Sequence, residues 1–416
     1  MNTTDSSIEI SLKHIKAALI FLPVFFIVMF LDSKSFNEYF FMNYKIIALT
    51  HIFTLGFLVM VIMGASYMLL PVALGVKIAY EKLFFPVYYA YVISLLLFII
   101  GMYYFWGIVI AVGGILLFAS VLIYNLNILL SLKKVKKWDY SSAGIAFAYS
   151  YLFVGLSIGL YLALSFFYFK IGLNIYDILQ EHIYVMFIGF AGMLFIAISY
   201  RLLPMFYMTK TPDNLYWKTD LIAVNAGIIA TLASSFFGNG SAAHIYLNGA
   251  GGWLLGLGIL LYCYIFFNLM LKRLKKKFDI TTFYLFAGII FLISAALIGL
   301  FIITIPQEKL NMFGGINGVY YVFGFLGLFG FAGMVIIGFL HKIFPFLISL
   351  KVFEKAKKGA YGKLFSDLKT KYLEYVIFAL FLTGSILWIF YLIQIAAAVL
   401  FIASLLLLFH IFSMGW

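Results

Sequence analysis

The chain has 416 residues, of which 65% are hydrophobic and 10% charged, against about a quarter charged in a soluble domain. Apolar runs this continuous exclude a soluble fold, and they also exclude a transmembrane β-barrel, whose strands alternate polar and apolar residues. The net charge of +13 lies between the apolar runs rather than on one face, which makes it a topology signal and argues against nucleic acid as a partner.

Twelve apolar segments are predicted to span the membrane, at 17–31, 45–74, 85–105, 107–132, 143–169, 181–207, 220–237, 245–270, 282–305, 319–350, 374–392 and 394–414. The residues before the first carry Asp5 and Glu9 and no small-residue cleavage site, so that segment is expected to be a helix and not a removed signal. The second contains His51 near its start. "KKVKK" follows the fourth segment, "KRLKKK" the eighth, and a lysine-rich stretch at 351–371 the tenth. With both termini in the cytoplasm, only Lys34, Lys45, Lys170 and Lys309 of the 28 basic residues lie outside. The lipid partner is then a bacterial or archaeal cytoplasmic membrane. One cysteine, Cys263, allows neither an internal disulfide nor a thiolate cluster.

Three stretches align without a gap: "GFLVMVIMGASYMLLP" (56–71), "GFAGMLFIAISYRLLP" (189–204) and "GFAGMVIIGFLHKIFP" (330–345). Each falls on the second segment of a group of four. Gly, Phe, Met and Pro recur in all three, as Gly56, Gly189 and Gly330 and their partners. Small residues four apart, such as Gly56 and Gly64, let helices approach closely. The prolines sit at inner helix ends, where a missing amide costs least. The expected architecture is an all-α integral membrane protein with twelve helices in three four-helix arcs related by pseudo-threefold symmetry. It forms a single domain over 1–416, with repeats near 1–142, 143–281 and 282–416.

Three four-helix arcs, outer-end histidines on the second and sixth helices, and the endings "GASYMLLP" and "GFLHKIFP" resemble the catalytic subunit (subunit I) of haem–copper oxidases. The resemblance implies that His51 corresponds to an axial ligand of the low-spin haem, and that His182 matches a copper ligand of the sixth helix. Read from the residues alone, His51 is either a ligand or a partner in a helix-to-helix hydrogen bond. His182, beside Glu181, is either a ligand or an interfacial histidine paired with a carboxylate. The two sit at positions two residues apart in the repeat, about 200° around a helix, and are expected to face different pores. His244, at the start of the eighth helix, is a third candidate metal ligand, although the family's adjacent His-His pair is missing. His341 is expected to be an interfacial anchor beside Lys342, and His14 and His410 are assigned no role.

The family's His-x-His pair on the tenth helix is replaced by Phe323 and Phe325. This leaves haem b as the cofactor the resemblance allows and disfavours copper. No acidic residue is expected inside a helix core, with Asp177, Glu181 and Glu308 at outer edges, which argues against proton pumping. The expected function is a non-pumping membrane haem protein without a complete haem–copper centre, and leaning away from an enzyme. It would transfer electrons to or from a cytochrome, a quinol or a respiratory complex subunit, or bind a diatomic gas such as nitric oxide. The alternatives are a cofactor-free assembly partner of a respiratory complex and a small-solute transporter.

Overall fold

A computed structural model describes residues 5–34, 36, 43–166, 175–211, 213–238, 240–305, 316–356 and 371–414. Glu308, Lys170, Lys309 and most of the basic loop after the tenth segment lie outside these residues. Among those described, the chain forms twelve long helices. They are α1 (Asp5–Leu31), α2 (Tyr44–Leu74), α3 (Phe84–Tyr104), α4 (Gly107–Leu132), α5 (Tyr140–Ser165) and α6 (175–207). The second half holds α7 (Asn214–Ser234), α8 (Ala242–Leu271), α9 (Ile280–Thr304), α10 (316–356), α11 (Lys371–Ile389) and α12 (Ile393–Met414). Eleven are long and apolar enough to cross a bilayer, and α7, with Lys218 and Asp220 near its start, is the exception. Ile93, Ile108, Ile229 and Phe409 expose more than half their surface, as lipid-facing residues do. The protein is a multi-pass helical membrane protein.

Two boundaries differ from the sequence expectation. Helix α1 begins at Asp5, so its polar first turns are helical as well. Helix α7 begins at Asn214 and not at 220, because Asp213 accepts a hydrogen bond from the Leu215 amide and caps it. Asp220 therefore lies within the helix.

The packing repeats. Within each third the first helix packs on the second and the third pairs with the fourth, giving α1–α2, α5–α6 and α9–α10, then α3–α4, α7–α8 and α11–α12. Helix α4 packs on α5, α8 on α9, and α12 returns to α1. The repeat glycines explain the close first-to-second contact. A Cβ at Gly56 would lie 2.7 Å from Phe21, one at Gly189 2.9 Å from Tyr151, and one at Gly330 2.9 Å from Phe291. Eight residues, about two turns, further on, a hydroxyl crosses between the same helices each time. Ser11 donates to the Gly64 carbonyl (2.6 Å), Ser141 to that of Ala197 (2.5 Å) and Thr281 to that of Gly338 (2.9 Å).

Each inner helix, α2, α6 and α10, is interrupted at the same place by a π-helical stretch: Ile52–Val59, Tyr184–Gly192 and Leu326–Gly333. Each ends just before the shared methionine, Met60, Met193 or Met334. A π-turn inserts an extra residue, so it turns the side chains on its two sides about 100° relative to an unbroken α-helix. In the first copy the Tyr91 hydroxyl of α3 donates to the Leu55 carbonyl inside this stretch, at 2.8 Å. Beyond the π-turns the three inner helices surround an apolar cavity of about 110 Å³. Equivalent residues line it in threes, among them Leu58, Ala191 and Ala332, and Leu69, Leu202 and Ile343.

Two of the three copies share an ion pair at the end that carries the prolines. Asp139 caps α5 through a reciprocal box with Ser142, and Arg201 of α6 reaches its carboxylate and the Ala73 carbonyl of α2. Asp279 caps α9 by accepting from the Thr282 amide and hydroxyl, and Lys342 of α10 lies 3.1 Å from its Oδ2.

Candidate functional site

His51 ends the α-helical first turns of α2, directly before the π stretch. Its Nδ1 lies 2.8 Å from the Ile47 carbonyl, one turn back. A carbonyl only accepts, so Nδ1 carries a proton, and Nε2 is the nitrogen left to act as a ligand. His182 lies two residues before the π stretch of α6, and its Nδ1 lies 3.0 Å from the Gly155 carbonyl of α5. Backbone carbonyls of this kind fix the tautomer and orientation of metal-ligating histidines. Gly159 leaves room for the ring, since a Cβ there would be 2.8 Å from His182 Cε1.

The two rings face each other across the α2–α6 seam. Their centres are 6.4 Å apart and their planes 22° from parallel. Phe98 of α3 closes one side, edge-on to His51 at 5.3 Å. Both imidazoles are half-buried. The expectation that they serve different pores is overturned. A rotation of about 200° between equivalent helices sends one side chain forward to the next unit and the other back to the previous one, and at a seam between neighbouring units those two directions meet. The expected pairing of His182 with a carboxylate is replaced by its bond to Gly155.

Two imidazoles bound to one metal from opposite sides, each with an N–metal bond of about 2.0–2.1 Å, place their ring centres about 6.3 Å apart. The observed ring-centre separation of 6.4 Å is of that size. Among the described residues no group of three or more His, Cys, Asp or Glu side chains is placed to hold a metal ion. Among the described residues a bare copper ion would have two imidazoles and no third His, Cys, Asp or Glu ligand. A haem iron brings its own four nitrogens and asks the protein only for axial ligands. The donor set fits haem better than copper.

His244 is placed elsewhere. Its Nδ1 lies 3.0 Å from the Ser234 carbonyl at the end of α7, while its amide is capped by Ser241 at 3.2 Å. It closes the α7–α8 turn and makes no ring contact with the pair. In the third unit Phe325 stacks on Trp388 at 4.6 Å, and Phe323 lies against Gly299, so aromatic packing fills the positions equivalent to the two histidines.

Polar groups missed by the sequence reading lie at the proline end. His14, His341 and His410 are fully or almost fully buried, at 0%, 0% and 1% exposure. His341 is not an interfacial anchor. It stacks on Tyr284 at 5.3 Å and lies 6.1 Å from His410, whose Nε2 is 3.7 Å from Glu374 Oε1. Its neighbour Lys342 misled the reading, because Lys342 is itself drawn inward by Asp279 and is only 12% exposed. The expectation that no acidic residue enters a helix core also fails, since Asp220 is 0% and Glu374 3% exposed. A hydropathy window signals such residues only as a shortened segment edge, and the expected segments 220–237 and 374–392 begin at these acids.

No known family model matches the chain, and neither does any curated protein.

Proposed function

We propose that the protein is a membrane haem protein with the architecture of an oxidase catalytic subunit, built as three four-helix arcs about a pseudo-threefold axis, and that the imidazoles of His51 and His182 would hold one haem b. The observation that carries this reading is the 6.4 Å separation of two imidazoles, each fixed through Nδ1 by a backbone carbonyl. The threefold arrangement draws its support from the repeated hydroxyl bonds, the matching π stretches and the cavity lined by equivalent residues.

Haem iron supplies one-electron redox chemistry. The chain's own residues hold the ligands in place, and Phe98 and the surrounding apolar side chains limit water. Two protein ligands on one iron favour electron transfer to a cytochrome, quinol or respiratory complex subunit over gas binding, which needs an open position. The basic loops orient both termini toward the cytoplasm.

The test is optical. Membranes enriched in the protein, reduced with dithionite, are expected to show a low-spin haem spectrum. His51→Ala and His182→Ala are each expected to convert it to a high-spin form that binds carbon monoxide, and His341→Ala is expected to leave it unchanged. A colourless purified protein, reconstituted with haem and still colourless, would favour a cofactor-free scaffold or a transporter.

A further inference from the structure

The carboxyl of Asp220 is enclosed in the second unit, at 0% exposure, six residues into α7 and so about 9 Å along it. Its Oδ2 accepts a hydrogen bond from the Tyr200 hydroxyl of α6, and Oδ1 has no hydrogen-bond partner. Tyr200 is sandwiched in turn by Trp217, stacked at 4.5 Å and 8°, whose buried indole Nε1 is also without a partner. The other ionisable groups near Asp220 are Tyr262 and Cys263 of α8. From α5, Tyr151 is engaged with Asn225, one turn further along α7. Arg201, next to Tyr200, is turned away to Asp139 and Ala73. Lys218 on the same helix is exposed.

A buried carboxylate is stable when two or three donors or a cation hold it. Asp220 has one hydroxyl and no cation, and an unpaired buried charge costs several kcal/mol. Glu374 in the third unit differs, because His410 lies beside it. A chain of hydroxyls continues from this cluster. Tyr262, whose ring is 6.0 Å from that of Tyr200, donates to Ser199 at 3.1 Å, and Ser199 borders the cavity between the inner helices.

We propose that Asp220 is a reversible proton-binding site buried in the helix bundle, neutral in this conformation and served from the end of the bundle that carries Lys210 and Lys218. The step is a proton transfer alone. A carboxylate oxygen takes a proton from water at that end and returns it, and no other bond changes. Ionisable residues inside a membrane bundle mark such sites. The proposal does not depend on haem, and it gives the protein a proton-handling group that the sequence reading had excluded.

The experiment uses dicyclohexylcarbodiimide, which reacts with protonated carboxyls in apolar surroundings. Intact protein in native membranes is treated across a pH series, and adducts are mapped by peptide mass spectrometry. Asp220 is expected to label at acidic pH, with the yield falling about tenfold per pH unit above its midpoint, while exposed Asp213 stays unlabelled. Tyr200→Phe removes the one donor that favours the charged form, and is expected to carry labelling to higher pH. Asp220→Asn is expected to remove the adduct, with the gel-filtration profile confirming that the fold is kept. No adduct at Asp220 in the folded wild-type protein at any pH, or an adduct independent of pH and matched at Asp213, overturns the proposal.

Discussion

The ammonium of Lys342 on α10 lies 3.1 Å from Oδ2 of Asp279, the residue that caps α9. Burial pushes the Asp279 carboxyl up, but the Lys342 charge, the Thr282 hydrogen bond and Lys275 outweigh it and hold the group down at about 2. A carboxyl depressed in the folded state contributes stability above its ordinary value near 4, and that contribution is lost as pH falls through about 2. Lys342→Met is expected to cost about 2 kcal/mol at neutral pH and to move the acid limb of stability upward. Thermal unfolding in detergent as a function of pH checks this. An acid limb that does not move means the lysine does not set the carboxyl's ionisation.

The equivalent pair, Arg201 with Asp139, is more exposed, with side chains 33% and 38% accessible. Burial raises the Asp139 carboxyl, but its Ser142 hydrogen bonds and Arg201 bring it below the usual range. Solvent screening reduces what this pair contributes, so Arg201→Met is expected to cost less than about 1 kcal/mol through the charge itself. Loss of the Arg201 bond to the Ala73 carbonyl adds to that. Comparing the two single variants in the same melting assay ranks them.

Gly159 is where His182 is most sensitive to volume. An added Cβ would lie 2.8 Å from Cε1 of the ring. Gly159→Ala is expected to displace the imidazole and to shift or abolish the haem spectrum. Gly249→Ala, on an open surface of α8, is expected to change nothing. Equal spectra for both variants would remove His182 from the ligand set.

Close packing between the first and second helices is complementary within each unit. Gly64 faces His14, Gly338 faces Tyr284, and in the second unit the sizes are exchanged, with Ala197 facing Gly144, where an added Cβ would lie 2.8 Å from the Ala197 Cβ. Gly144→Ala alone is expected to cost about 1–3 kcal/mol. Adding Ala197→Gly is expected to recover most of it, because the volume is then exchanged and not added. Melting temperatures of the two single variants and the double variant give the coupling.

The hydroxyl that joins the same helices is worth less. Ser11→Ala, Ser141→Ala and Thr281→Val are each expected to cost about 0.6 kcal/mol, the average for hydrogen bonds between membrane helices. Similar losses at all three sites would mark them as equivalent parts of one repeated design.

Hydropathy and the Gly–Phe–Met–Pro pattern made the spanning helices and the repeat legible, because both are local properties of the chain. The meeting of His51 and His182 was not legible. It depends on which faces of two helices from different units adjoin, and no spacing within one helix encodes that. The π stretches carry no distinctive side chain, so Ile52–Val59 reads as ordinary apolar helix. Asp220 was overlooked because Lys218 and Asp220 together lower the hydropathy of the first turns of α7, which moved the apparent helix start to the very residue that matters. His341 was misplaced for a related reason. A lysine beside a histidine reads as a water boundary until a distant aspartate is known to pull that lysine inward.

The π-turns also carry information about ancestry. Three separate insertions at one register, each ending on the residue before Met60, Met193 or Met334, would require the same accident three times. A single insertion in a founding four-helix module, inherited when the module was multiplied, requires it once. The widened turn is then a property of the repeated unit and not of any single copy, present in α10 as well, where no histidine precedes it.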